Sequence, residues 1–66
     1  MWAIRNKRTR KWMYGTKWTN NYDARQLTSN DQVMVFDTYE QARLEMRWRQ
    51  CGRDYEIVPV RIEEVR

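Results

Sequence analysis

The residues of this 66-residue chain that offer chemistry are its thirteen Lys and Arg, four Trp and four Tyr, and their spacing points to surfaces rather than to a reaction centre. Arg5, Lys7, Arg8, Arg10 and Lys11 are interleaved with Trp2 and Trp12, and Lys17 and Trp18 follow. Cations that seek phosphate, alternating with rings that stack on bases, are the equipment of single-stranded nucleic-acid binders. A second group, Leu44, Arg47 and Trp48, sets an aliphatic and a tryptophan one helical turn apart beside charge, the composition of a protein-binding hot spot. Trp18 and Tyr22 add two rings that a loop could present to the same partner.

Other chemistries are excluded by what is missing. There is no histidine, and Cys51 is the lone cysteine, so a Cys-x-x-Cys zinc cluster cannot be built. The only glycines, Gly15 and Gly52, stand too far apart for a phosphate-binding loop or a dinucleotide fingerprint. Glu63 and Glu64 are adjacent, and neighbours in a strand point to opposite faces. No catalytic residue, metal or cofactor is expected, and the chain reads as a non-enzyme.

Charge is distributed unevenly. Residues 1–22 hold six bases and no acid, whereas residues 23–66 hold seven bases and nine acids, so a net +4 divides into +6 and −2. Such a polar molecule turns a basic end toward an acidic partner or a phosphate backbone. One cysteine allows no internal disulfide, which makes a reducing cytoplasm the simplest location. No run approaches the roughly 20 apolar residues that cross a bilayer, so no membrane partner is expected.

These surfaces need elements to carry them. Asp37 to Gly52 has both a start and a stop signal: Asp37 with Glu40, or Thr38 with Gln41, has capping-box spacing, and Gly52 suits a helix end. A helix over about 38–51 follows. At roughly 100° per residue, Tyr39, Ala42 and Met46 share the side expected to pack on a sheet, with Leu44, Trp48 and Cys51 nearly opposite. Alternation within 1–15 predicts a β-hairpin with a basic tip at Asn6–Arg10, with Trp2 and Ile4 on the same side as Trp12 and Tyr14.

Residues 16–32 show no sustained period and read as a long, ordered, ring-containing loop, with a turn of helix near 22–26. Val33–Phe36 reads as a central strand and 55–62 as another, placed at an edge or bulged because Pro59 cannot donate to a ladder. The expected fold is a single α+β domain of order βββαβ, a four-stranded, mostly antiparallel sheet with one helix on one face. The two strands flanking the helix would run parallel if they are neighbours.

The opening Met-Trp-Ala-Ile-Arg-Asn-Lys-Arg-Thr-Arg-Lys-Trp-Met-Tyr-Gly-Thr, with Phe36–Ala42 and Gly52–Val60, resembles a group of short proteins encoded by bacteriophages and prophages of Gram-positive bacteria. The resemblance implies a general role, that of binding one host or defence component inside the bacterial cell and blocking it, as anti-CRISPR and other anti-defence proteins do. It carries over no binding residues. The expected function is therefore a non-catalytic inhibitor using Leu44, Trp48, Arg47, Trp18 and Tyr22. The alternative is a small DNA- or RNA-binding protein using the basic hairpin. Self-association through Leu44 and Trp48 is a third outcome of the same exposed face.

Overall fold

A computed structural model describes residues 1–20 and 23–61. The chain is an α+β domain in the order β1 (Trp2–Asn6), β2 (Trp12–Trp18), β3 (Ala24–Ser29), β4 (Val35–Phe36), α1 (Tyr39–Trp48) and β5 (Tyr55–Pro59). All pairings are antiparallel, and β1 is the central strand. It lies along β5 for its whole length. Its other edge is shared, with β2 opposite Arg5 and β4 opposite Trp2 and Ala3.

β4 is thus an edge strand, not the central one that its apolar run suggested. Apolar side chains there serve a two-residue contact with β1 and, through Met34 and Phe36, the core. β4 and β5 are both antiparallel to β1 and so run parallel to each other, but β1 lies between them. Pro59 ends a strand whose outer edge is unpaired among the described residues, where a missing N–H breaks no ladder.

The first hairpin turns where the basic, apolar-free stretch predicts. Asn6 Oδ1 accepts from the backbone N–H of Arg8 and Thr9 at 2.9 and 3.0 Å, and Arg10 takes a left-handed φ of 64°. Its register differs from expectation. Arg5 stands opposite Trp12, which puts Trp12 on the face away from Ile4, and the core is formed by Ile4, Met13 and Cys51. Met13 therefore takes the inward place that alternation assigned to the two rings, Trp12 and Tyr14.

The largest correction concerns the expected loop at 16–32. β2 continues through Gly15 to Trp18, and β3 returns along it from Ala24 to Ser29. The expected helical turn is replaced by strand over Ala24–Gln26. A β-bulge between Met13 and Gly15 breaks the period of two, and β3 meets the helix layer through a polar side chain, Gln26. Neither leaves the apolar alternation by which a strand is recognised.

Helix α1 starts as its sequence demands. Thr38 is the N-cap, its Oγ1 accepting from Gln41 N–H at 3.1 Å, and Gln41 Oε1 accepts in return from Asp37 N–H at 3.2 Å. It stops earlier than Gly52. Gln50 takes the left-handed conformation, with Gln50 N–H bonded to Arg47 O and Cys51 N–H to Met46 O, the paired bonds of a Schellman cap. This reversal turns Cys51 inward, 6% exposed, instead of outward with Leu44 and Trp48. Ala42 is fully buried, Met46 packs against the core, and Tyr39, though 47% exposed, meets Trp2 edge to face with ring centroids 5.2 Å apart.

Candidate functional site

Leu44 and Trp48 stand outward on α1, 61% and 69% exposed. The helix fixes this, because Ala42 and Met46 occupy the side turned to the sheet. Trp18, at the end of β2, joins them: its ring centroid is 5.9 Å from that of Trp48, the planes inclined at 52°. The pair is brought together by a polar staple. Gln26 Nε2 donates to Arg49 O, Thr16 Oγ1 donates to Gln26 Oε1 at 2.7 Å, and Arg49 Nη1 donates to Thr16 Oγ1 at 2.9 Å.

Trp18, Asn20, Arg47, Trp48 and Gln50 line an open groove of about 510 Å³. Two rings already in contact admit no planar base between them, whereas the groove beside them has room for an apolar side chain. Arg47 supplies a guanidinium that makes no ion pair among the described residues, while Glu45 is held by Arg49 at 2.7 Å. The backbone carbonyls of Glu45, Met46, Arg47 and Arg49 are all hydrogen-bonded, so the helix end presents none of these acceptors to a partner.

Of the residues expected to bind protein, Trp18, Arg47 and Trp48 share this groove and Leu44 lies one turn away, whereas Tyr22 falls outside the described residues. Asn20 and Gln50 were missed. Asn20 carries only a turn signal, and Gln50 reaches the groove through a left-handed conformation that the sequence does not announce.

The nucleic-acid candidates divide. Lys7, Arg8, Arg10 and Lys11 are exposed at or beside the β1–β2 tip, which is pinned to the neighbouring turn by Lys7 N–H donating to Asp54 O at 2.6 Å. Lys17 lies toward the far end of β2. Arg5 is engaged inside the sheet: its Nη2 bonds Glu56 Oε1 at 2.8 Å, and its guanidinium carbon lies 5.6 Å from the Trp12 ring centroid. That hydrogen bond is the main reason the Glu56 carboxyl is held below its ordinary range. Burial, outweighing the nearby Arg49 charge, pushes the Cys51 thiol up to about 11, so it is no ready nucleophile.

Among the described residues, no three His, Cys, Asp or Glu side chains group to hold a metal ion, and no helix is long and apolar enough to cross a membrane. No protein-family model, curated protein or solved structure matches the chain.

Proposed function

We propose that the chain is a non-catalytic interaction module that docks a second protein on the face formed by Leu44, Trp48, Trp18 and Arg47. The observation that supports it is the exposure of Leu44 and Trp48, 61% and 69%, beside a groove that contains a second tryptophan. At 61% and 69% exposure Leu44 and Trp48 forgo about 1–2 kcal/mol each of burial, which a partner would recover. With the resemblance to small phage proteins, the partner is a bacterial host or defence component, bound in the cytoplasm and blocked by being covered.

The test is affinity capture from bacterial lysate with the native chain and with Leu44→Ala and Trp48→Ala. The proposal expects one or a few proteins retained by the native chain and lost from both variants. Equal retention by all three sinks it. Sedimentation of the purified chain reads self-association separately, and a dimer that Leu44→Ala disperses would make a second copy the occupant of this face.

A further inference from the structure

The sheet face turned away from α1 carries a different pattern, and strand register shows which side chains stand there. Ile4 and Met13 lie in the core with Cys51, so Arg5 and Trp12, the next residues toward the hairpin tip, point outward as register partners. Thr16 and Trp18 contact Arg49 and Trp48 on the helix side. Between the inward Met13 and Thr16, the bulge leaves Tyr14 and Gly15 both outward, and Lys17, between Thr16 and Trp18, is outward too. Across the hairpin, Leu27 faces Gly15 and Arg25 faces Lys17.

One feature of this face works against the fold. Lys17 and Arg25 are like charges directly opposite each other, both exposed, and neither forms an ion pair among the described residues. Gly15 sits within a strand without a positive φ, and a Cβ there would meet only Leu27 Cδ1, at an ordinary 3.7 Å. Gly15 falls at the β-bulge, a common place for a strand glycine, and its missing side chain leaves the backbone beside Tyr14 open. Beside it Tyr14 is 37% exposed, and Trp12, half-buried, is backed by the Arg5 guanidinium.

We propose that this outer face binds single-stranded nucleic acid. Bases stack on Trp12 and Tyr14, and phosphates lie along Lys17, Arg25 and the Arg10–Lys11 end of the basic tip. Positions two apart in a strand are roughly 7 Å apart, the order of one extended nucleotide. A duplex keeps its base faces stacked and offers nothing to these rings, which favours single strands. The β1–β2 hairpin and the β2–β3 hairpin together make the site, and Arg25 and Tyr14 enter it only through the folded register. The surface shares no residue with the Leu44 and Trp48 docking face, so each proposal stands or falls alone.

The test uses the full chain with labelled 15-nucleotide oligothymidylate and oligouridylate, and a duplex of equal length, followed by fluorescence anisotropy. Neutralising four phosphates, one each for Arg10, Lys11, Lys17 and Arg25, predicts an affinity for single strands that falls about fifty-fold between 50 and 200 mM salt. Lys17→Glu is the sharpest variant, because it places an acid opposite Arg25. It is expected to raise the melting temperature while weakening single-strand binding about tenfold. Tyr14→Ala weakens binding similarly, Tyr14→Phe restores it, and the Leu44→Ala and Trp48→Ala variants bind like the native chain. Unchanged affinity in folded Lys17→Glu overturns the proposal, as does equal binding of duplex and single strand.

Discussion

Gln26 on β3 donates from its side-chain amide to the backbone carbonyl of Arg49, the C-cap of α1, across 23 positions of sequence. The contact closes one end of the helix and fixes the β2–β3 hairpin against it. Thr16 completes the link, donating to Gln26 and accepting from Arg49, so one hydroxyl uses both its roles. Gln26→Ala is expected to destabilise the domain by about 1–3 kcal/mol in urea unfolding, since a part-buried carbonyl and hydroxyl lose their partner. It should also loosen the Trp18 and Trp48 rings, visible as a weaker near-ultraviolet circular dichroism signal. An unchanged spectrum would mean that ring contact alone holds the hairpin.

Gln50 stands where helices that end in this motif usually place glycine. Its φ of 54° is left-handed, and the Schellman bonds of Gln50 and Cys51 require that conformation. Gln50→Gly should therefore raise stability by about 1 kcal/mol, while Gly52→Ala, at φ 74° with open space around it, should lower it through backbone strain alone. Urea midpoints of the two variants moving in the same direction would refute this account of the helix end.

Much of this was legible in local signals. Thr38 with Gln41 announced the helix start, Asn6 to Arg10 announced the first turn, and angular spacing set Leu44 and Trp48 opposite Ala42 and Met46. The rest depended on single residues that change direction. Extrapolating the helix past Gln50 put Cys51 on the wrong side, and ignoring a bulge at Tyr14 hid the alternation of β2. The groove pairing Trp18 with Trp48 needs both that bulge and the Gln26 staple. Neither leaves an apolar period, so the sequence shows a ring at each end but not their meeting.

Arg5 and Glu56 face each other across β1 and β5, and their hydrogen bond lowers the Glu56 carboxyl below its ordinary 4.5. The unfolded chain then binds this proton more readily than the folded one. The contribution to stability is complete above the ordinary value and is lost as pH falls through the depressed folded value. Glu56→Gln should flatten the acid side of a stability profile measured by urea midpoints between pH 6 and roughly pH 2, about two units below the ordinary Glu range. A variant that retains the native slope there would assign the acid sensitivity to other carboxylates.

Cys51 offers the opposite sign. Burial beside Met13, with the two sulfurs 3.8 Å apart, keeps the thiol neutral until about pH 11, whereas its ordinary value is 9.0. Folding therefore holds a proton that the unfolded chain releases, and stability is full below pH 9 and falls as pH rises from 9 toward 11. Cys51→Ala should remove that alkaline loss while costing packing against Ile4 and Met13. Alkylation by iodoacetamide at pH 8.5, just below that ordinary value, should proceed in proportion to the population of the open domain, and low urea should accelerate it with the equilibrium m-value of unfolding. Rapid labelling of the native chain, at a rate indifferent to urea, would place Cys51 outside the core and with it the inward turn that Gln50 imposes.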